Sequence, residues 1–456
     1  MTAWFPRVTA HSLIIVLSLL VYVLTTRAER ERRPPAVAIA WVLGMIALPY
    51  AALPMYLLFG RRKLPRRSVP CIAPPAPPTN WAEHLIESFG LPGSAPARVR
   101  MHQNGEEARN ALFEVMSRAS RRLDICTYIL ADDAFGEEVT ARLIACLQRG
   151  VRVRFLIDGV GALWLPRSWF KRMRAAGAET AVFSPLLARK TQGPRNLRNH
   201  RKWVIADGEL LWSGGRNLAA EYFCGTPAMP PWADLSFDLE GPVAAFAANQ
   251  FEVDWTAAGG KAAGRAVATA DVTAGDGTPG RCQFVPSGPD QTEDTVRALL
   301  IDACFRATER MLAVTPYFVP DSNLEMAMRL AAHRGVKIDL CIPATSNHRL
   351  ADFVRNRALR ALSSAGVSIH LLKGMNHAKA VVFDRDIALC GSANLDSRSL
   401  LLNYESMVVF YDKRDIEWLA TWIQDLIPEA DAFHNRAPEL WRDLAEGLLL
   451  TLAYQL

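Results

Sequence analysis

Two short stretches of the chain carry the same chemically capable residues at the same spacing. The stretches NHRKWVIADGELLWSGGRN and NHAKAVVFDRDIALCGSAN both follow the pattern H-x-K-x4-D-x6-G-x2-N. Two copies in register indicate an internal duplication, and they predict a site that takes one half from each copy. The repeated residues are His200, Lys202, Asp207, Gly214 and Asn217 in the first copy, and His377, Lys379, Asp384, Gly391 and Asn394 in the second.

These side chains suit a reaction at a phosphodiester. A charged Lys and a neutral Asn can both stabilise the negative charge on nonbridging phosphate oxygens. One neutral His can attack phosphorus, and a second, protonated His can donate a proton to the departing oxygen. The first displacement would then leave a phosphohistidine intermediate. This chemistry requires neither a metal nor a cofactor, and we predict none.

Each copy is predicted to place its His and Lys on one β-strand, because the strand-like segments WVIA and AVVF follow them. Residues two apart on a strand face the same way. Asp207-Gly208 is typical of a tight turn, and ELLWS then predicts the returning strand. The imidazole, ammonium and amide of each copy should therefore come from one small hairpin.

Alternating strand and helix patterns surround both copies. LDICTYIL, GEEVTARLIACLQRG and VRVRFLIDG predict strand, helix and strand, and the same order returns in MLAVTPYFV, LEMAMRLAAHRG and VKIDLCIPA. This alternation predicts an α/β layer fold in each half.

Two apolar segments without charged residues open the chain, at about 8–26 and 37–59. Because a membrane span takes about 20 predominantly apolar residues, both are predicted to be transmembrane helices. Pro49 and Pro54 should kink the second helix. Six basic residues flank the two outer ends and four lie in the connecting loop, which favours a cytoplasmic catalytic region.

The rest of the chain is divided by composition. Pro-rich and Gly/Ala-rich stretches are typical of spacers and surface loops. The predicted segments are 1–64 for the two transmembrane helices, 65–98 for a Pro-rich linker, 99–256 for the first domain, 257–280 for a Gly/Ala-rich linker or loop, and 281–456 for the second domain.

Composition excludes several classes of protein. An excess of 52 Lys and Arg over 46 Asp and Glu is too small to indicate a nucleic-acid partner, and no basic stripe interleaved with aromatic residues occurs. The eight cysteines include no C-x-x-C pair, which argues against a zinc site or a disulfide framework. Buried free thiols in a reducing compartment are the simpler interpretation.

The duplicated motif resembles that of the phospholipase D superfamily, whose signature is a repeated HKD motif. Within it, the chain is similar to bacterial cardiolipin synthases of the membrane-anchored type. The likeness rests on the apolar N-terminal segments ending in LLFGR, on NLRNHRK, and on NLDSRSLLLNYE after the second copy. It implies two duplicated α/β/α halves, preceded by a transmembrane hairpin, whose active histidines meet across a pseudo-twofold interface.

The resemblance also implies a division of labour between the copies. His200 would be the nucleophile and His377 the general acid and base. The side chains expected to hold the phosphate are Lys202, Lys379, Asn217 and Asn394.

The predicted site includes four further carboxylates, and a fifth is the alternative to one of them. Asp207 and Asp384 belong to the motif, but their place at hairpin turns favours a structural task over proton transfer. An imidazole that changes charge needs an orienting partner on its other nitrogen. Glu405 looks like the family's downstream acid and should pair with His200 of the other half. For His377, we predict Asp234 as the partner, with Asp238 as the alternative.

The predicted activity is phosphatidyl transfer from one phosphatidylglycerol to another, giving cardiolipin and glycerol. One alternative is a phosphodiesterase of the phospholipase D type that uses water as acceptor. Another is a membrane-tethered lipid or nucleic-acid binding protein with a vestigial site. The expected partners are phosphatidylglycerol and anionic membrane lipids, without nucleic acid, at the bacterial inner membrane. Phosphatidylethanolamine stays open as a second acceptor, and so does the oligomeric state.

Overall fold

The computed structural model describes residues 5–29, 35–60, 80–185, 196–262, 280–442, 445–446 and 449. Most of the Gly/Ala-rich linker predicted at 257–280 lies outside these residues, as does the centre of the Pro-rich linker with Cys71. The other seven cysteines are free thiols, and all but Cys224 are buried.

Three helices form the N-terminal part: α1 Phe5–Glu29, α2 Pro35–Ala47 and α3 Pro49–Phe59. The second predicted helix is broken rather than kinked, because Leu48 is non-helical and Pro49 opens a new helix. Tyr56 of α3 packs edge-on against Tyr22 of α1 and Trp41 of α2. Across the described residues, no helix combines the length and the apolar character needed to cross a membrane.

The first half contains, in chain order, α4 Trp81–Ser88, β1 Ala95–His102, α5 Gly105–Arg118, β2 Arg122–Thr127, α6 Ala134–Gln148, β3 Arg152–Asp158, a 3-10 turn Gly161–Leu163, α7 Arg167–Ala175, β4 Glu179–Phe183, β5 Trp203–Ala206, β6 Leu210–Gly214, a 3-10 turn Ala220–Tyr222, β7 Ser236–Glu240 and α8 Pro242–Ala257.

The second half repeats that order with β8 Gly280–Ser287, α9 Thr295–Arg306, β9 Arg310–Val314, β10 Phe318–Val319, α10 Ser322–His333, β11 Lys337–Pro343, α11 Arg349–Ser364, β12 Ser368–Leu372, β13 Ala380–Phe383, β14 Ile387–Gly391, β15 Leu395–Asp396, α12 Ser397–Leu401, β16 Glu405–Phe410, α13 Lys413–Gln424 and β17 Asp431–Ala432.

The helix ends follow from their sequences. Asp133 caps α6 by accepting a hydrogen bond from the backbone N–H of Gly136, and Asp321 caps α10 in the same way through Asn323. Both helices then stop before a glycine with positive φ, Gly150 at 84° and Gly335 at 94°.

One sheet of fifteen strands joins the two halves, in the order β17-β12-β11-β9-β13-β14-β16-β8-β1-β7-β6-β5-β2-β3-β4. The halves meet where β1 pairs antiparallel with β8, Ala95 opposite Cys282. Outward from this seam each half has four antiparallel pairs followed by two parallel pairs, and the second half adds the antiparallel pair of β12 with β17. The fold is therefore α/β with two duplicated halves, as predicted.

The sheet continues through regions predicted to be linker. Helix α4 and the start of β1 lie within the 65–98 stretch, and Ala82 and Ile86 of α4 are fully buried in the core. Ala82 and Ile86 thereby anchor this end of the stretch in a core that holds apolar side chains of both halves. The same core holds Phe237 and Phe410, whose rings from the two halves pack 5.6 Å apart.

The topology also decides where a site can form. Strands β2, β3 and β4 are parallel, as are β9, β11 and β12, whereas the motif strands β5 and β13 run against them. The start of β5 therefore lies beside the carboxyl end of β2, with Cys126 opposite Trp203. Loops from the carboxyl ends of parallel strands commonly build ligand sites.

Candidate active site

Each motif hairpin is anchored at its turn by the motif aspartate. Asp207 and Asp384 adopt positive φ values of 56° and 51°, a conformation that Asp tolerates better than most residues. The Asp207 carboxylate accepts three backbone N–H groups, from Ser120, Arg121 and Arg122, at 2.7–2.9 Å. Asp384 accepts the equivalent groups in the second half. Neither aspartate is among the residues that line the cavity described below.

The prediction that each His and Lys lie on the motif strand is wrong: they lie just before β5 and β13, because the backbone of each histidine pairs with the other half instead. The histidines are thus at the end of each hairpin away from the turn. The backbone N–H of His200 donates to the carbonyl of Tyr404 at 2.9 Å. The backbone N–H of His377 donates to the carbonyl of Ala233 at 2.6 Å. Each histidine is thus held beside the residue that immediately precedes the other half's carboxylate, Glu405 or Asp234.

The side chains of the two histidines also pair with the opposite halves. Nδ1 of His200 lies 3.0 Å from Oε1 of Glu405, and Nδ1 of His377 lies 2.9 Å from Oδ2 of Asp234. Both carboxylates are fully buried. The alternative considered for His377, Asp238, pairs instead with His102 at 2.6 Å. An imidazole whose Nδ1–H is held by a carboxylate presents Nε2 as its free nitrogen.

The side chains of Glu405 and Asp234 differ in length, and the residues that contact their carboxylates differ accordingly. Ser392 donates its hydroxyl to Oε2 of Glu405 at 2.5 Å. The equivalent residue in the first half is Gly215, where an added Cβ would come within 2.2 Å of Oδ1 of Asp234. Gly215 therefore makes room for Asp234, a role beyond the predicted close approach to a ligand.

Both histidines line one cavity of about 270 Å³. Asn217 and Asn394, predicted to bind phosphate, line it as well. The ring of Tyr128 packs edge-on against His200 at 5.0 Å, and that of Tyr222 packs edge-on against His377 at 5.0 Å. The structure thus brings the two predicted imidazoles to a common space between the halves.

The two lysines lie behind the histidines. Nζ of Lys202 donates to the backbone carbonyl of His200 at 2.7 Å. Lys379 donates to the carbonyl of His377, and its Nζ is 3.1 Å from Nε2 of that ring. Neither lysine is among the residues that line the cavity, although both are nearly fully buried. Their charges act on the cavity from just beneath its surface.

Burial controls the protonation of these groups. It lowers the pKa of His377 to about 3, helped by the charge of Lys379, and it lowers the pKa of His200 although Glu405 opposes this. Burial likewise lowers the pKa of Lys202 to about 8 and that of Lys379 to about 7. Without a bound anion, both imidazoles are therefore neutral at physiological pH.

The carboxylates stay ionised. Burial alone would raise the pKa of Asp234, but the hydrogen bond to His377 and the nearby Lys379 outweigh it. For Glu405, the charges of His200 and Lys202 likewise outweigh burial and lower the pKa. A pair of cations balanced by a pair of anions thus surrounds the two rings.

One buried arginine beside the site was missed by the sequence analysis. Nε of Arg201 donates to the backbone carbonyl of Glu405 at 3.0 Å, and Nη1 donates to Asp254 at 2.6 Å. Arg201 lies between His200 and Lys202, and a fully buried guanidinium needs a buried acid as its partner. The second copy has Ala378 there, so this bracing exists only beside His200.

Comparison with known proteins agrees with this geometry. Residues 112–226 and 300–427 match the family described as "Cardiolipin synthase, PLD-like domain", and residues 14–61 match "Phospholipase_D-nuclease N-terminal". Cardiolipin synthase A of Pseudomonas aeruginosa is 32% identical over 88% of this chain and 86% of its own length. The chain belongs to the cardiolipin synthase family.

Other similar proteins extend the comparison. Cardiolipin synthase 1 of Bacillus cereus is 30% identical over 85% of this chain and 82% of its own length. The crystal structure of phosphatidylserine synthase from Haemophilus influenzae superposes with a TM-score of 0.59 at 13% identity, covering 82% of this chain and 99% of that one. The latter likeness concerns the fold alone. Membership of the cardiolipin synthase family confirms the predicted resemblance and the enzyme class, a phospholipase D-type phosphatidyltransferase.

Proposed function

We propose that the chain moves a phosphatidyl group from one phosphatidylglycerol to a second, producing cardiolipin and glycerol. The observation that supports this most directly is the crossed pairing of two histidines with carboxylates of the opposite halves, around one cavity. Two imidazoles on one phosphorus are what a two-step displacement needs.

In the first step, Nε2 of His200 attacks the phosphorus of the donor lipid. The bond from phosphorus to the glycerol oxygen breaks, and His377 gives its proton to that oxygen, releasing glycerol. A phosphatidyl group then remains on His200. Asn217 and Asn394 face the cavity and can donate hydrogen bonds to the nonbridging oxygens, while Lys202 and Lys379 stabilise their charge.

The proton on His377 has to come with the substrate. Burial chiefly, and then the charge of Lys379, lower the pKa of His377 to about 3. A phosphodiester carries a negative charge into the same space, and an adjacent opposite charge raises the pKa of an imidazole. Asp234 stabilises the resulting imidazolium through Nδ1. Protonation of His377 is therefore coupled to substrate binding.

In the second step, His377 acts as a base. It takes the proton from a hydroxyl of the acceptor lipid, whose oxygen attacks phosphorus while the bond from phosphorus to His200 breaks. Both histidines return to their starting state, so the cycle needs no reagent besides the two lipids. Exclusion of water from the cavity favours the alcohol over hydrolysis.

Product analysis tests this function. Purified full-length protein is incubated with vesicles of phosphatidylglycerol labelled in the phosphatidyl group. We expect labelled cardiolipin and free glycerol, and no turnover by His200→Ala. His370→Ala, which removes a partly buried histidine paired with Asp339 away from the cavity, is the matched control and should retain activity. Phosphatidic acid as the main product would instead identify a hydrolase.

We further propose that the N-terminal helices insert into the membrane as a hairpin. Large apolar side chains cover their outer surface, with Leu13 69% exposed and Leu43 59% exposed, while the opposite faces pack together around Tyr56. Apolar surface of this extent is stable in lipid rather than in water. Single cysteines placed at positions 30–34, between α1 and α2, should react with an impermeant maleimide from the periplasmic side only. Labelling from the cytoplasmic side would reverse the proposed orientation.

A further inference from the structure

The chemistry assigns one side of the cavity to the alcohol. In an in-line displacement the attacking and leaving atoms lie on opposite sides of phosphorus. The glycerol that leaves in the first step and the hydroxyl that enters in the second therefore occupy the same position, opposite His200 and beside His377. The wall next to His377 must consequently receive a glycerol head group in both steps.

That wall is polar and comes from the second half. The ring of Tyr317 lies 6.3 Å from that of His377 and 6.0 Å from that of His348, and its hydroxyl donates to Oδ1 of Asn347. Both Asn347 and His348, in the loop after β11, line the cavity. Contacts through Tyr317 thus connect His377 continuously to these two side chains.

A carboxylate lies on the same wall. Asp396 lines the cavity and is also the N-terminal cap of α12, where Oδ1 accepts the backbone N–H of Ser399 at 2.7 Å. A carboxylate has about four lone-pair positions, so it can accept hydrogen bonds from substrate hydroxyls beside its capping bond. Its charge also acts on Lys379, beneath His377.

The described part of the first half has no counterparts of Asp396, Asn347 and His348. Leu395 pairs with Phe318 as Leu218 pairs with Leu130, so the counterpart of Asp396 is Ala219. The loop after β3, which corresponds to the loop after β11, has Ala162 and Leu163 at the equivalent places. None of these residues lines the cavity. The duplication preserved the groups that act on phosphorus and diverged beside the position of the alcohol.

We propose that Asp396, Asn347 and His348 form the binding site for the glycerol head group, used first by the leaving glycerol and then by the acceptor lipid. The proposal rests on the function above and names the part of the site that selects a polyol over water or a simple alcohol.

Each side chain has a defined contribution. Asp396 accepts a hydrogen bond from a substrate hydroxyl. Asn347 has its oxygen engaged by Tyr317, so its amide N–H groups donate to substrate oxygens. Nδ1 of His348 accepts the backbone N–H of Ala351, which leaves Nε2–H as the donor. Two vicinal hydroxyls can then be held by one acceptor and two donors, an arrangement that water and propanol cannot fully satisfy.

Competition between two alcohols tests the proposal. Full-length protein in phosphatidylglycerol vesicles is given ¹⁴C-glycerol and ³H-1-propanol, and the ratio of labelled phosphatidylglycerol to phosphatidylpropanol is measured. The wild type should favour glycerol. Asp396→Asn and Asn347→Leu should each lower the ratio by about tenfold, corresponding to one lost hydrogen bond to a substrate hydroxyl, with the propanol rate changed less than about threefold.

Asn356→Leu is the matched control, because Asn356 lies on α11 outside the cavity and bonds only its own helix carbonyls. Its ratio should equal that of the wild type. Unchanged ratios in both test variants would overturn the proposal, as would equal losses for both alcohols with an unchanged melting temperature. Asn347 caps no helix, so its variant tests the proposal even if Asp396→Asn unfolds. A wild type that transfers to neither alcohol would contradict the proposed function instead.

Discussion

Glu405 of the second half lies 3.0 Å from Nδ1 of His200 in the first, so the ring of one domain is oriented by the other. Replacing Glu405 with Gln keeps the volume but removes the charge that supports the imidazolium. We expect kcat to fall by about 10²- to 10⁴-fold, as for other histidines that lose an orienting carboxylate.

The pH profile of Glu405→Gln separates orientation from misfolding. The pKa of His200 is lowered by burial and partly restored by Glu405, so losing the carboxylate should lower it further. The acidic limb of the kcat/KM profile should therefore move to lower pH. An unchanged limb with reduced amplitude would show that Glu405 acts on the fold and not on the ring.

His377→Ala should stop the reaction at the covalent stage when the leaving group needs no proton. A donor lipid carrying p-nitrophenol in place of glycerol releases a stable anion, so attack by His200 can proceed without the general acid. We expect a burst of p-nitrophenol equal to the enzyme concentration, followed by turnover about 10²- to 10⁴-fold slower than wild type. Mass spectrometry should find the phosphatidyl group on His200. An adduct on another residue would reassign the nucleophile.

Alkaline pH should weaken binding of the phosphodiester. Burial lowers the pKa of Lys379 to about 7 and that of Lys202 to about 8, so both lose charge as pH rises through these values. We expect kcat/KM to decline from about pH 7–8 upward. The decline in kcat should occur at higher pH, because bound phosphate raises both pKa values. Lys337→Gln, at an exposed position on β11, should leave both profiles unchanged.

Gly215→Ala should displace the partner of His377. The added Cβ would lie 2.2 Å from Oδ1 of Asp234, too close for the carboxylate to keep its place. A shift of about 1 Å in a catalytic group can cost on the order of 10²-fold in rate. We expect a loss of that size in kcat, measured on phosphatidylglycerol vesicles. Ser392→Ala, which removes one hydrogen bond to Glu405 without adding a clash, should lose less.

Asp207→Ala should destabilise the protein more than it alters the chemistry. Three backbone N–H groups lose their acceptor, and Ala tolerates the positive φ poorly, for a combined cost of about 2–4 kcal/mol in the free energy of unfolding. Urea titration should show this loss, while the folded fraction keeps its kcat. Asp207→Asn should be milder, because Asn accepts the same conformation.

Low pH should remove the stabilising contribution of the Asp207 carboxylate. The native pKa of Asp207 is lowered, since hydrogen bonds from the backbone outweigh burial. Its stabilising contribution is therefore complete above the unfolded pKa and is lost as pH falls through the native value. Below that pH, the stability difference between wild type and Asp207→Ala should shrink to the pH-independent cost of placing Ala at positive φ. A stability difference that does not shrink at acid pH would mean that the carboxylate's charge is not what matters.

The sequence by itself determined the duplication, the hairpin that follows each histidine, and the α/β class. Such features are encoded locally: WVIA and AVVF form β5 and β13, and the Asp-Gly turn closes the first hairpin. Family likeness added the crossed partnership of Glu405 with His200. The carbonyl contacts that hold the motif lysines beneath the cavity surface were not predictable from spacing.

Only the tertiary structure decided which remote groups meet. Asp234 and Asp238 are four residues apart, yet they face different histidines. Asp234 lies just before β7, where it faces His377, whereas Asp238 lies within β7 and faces His102 at the end of the neighbouring strand β1. The bracing by Arg201 depends on strands from both halves joining one sheet. Spacing within a copy carries no information on contacts between copies, since these are set by how β1 and β8 pair.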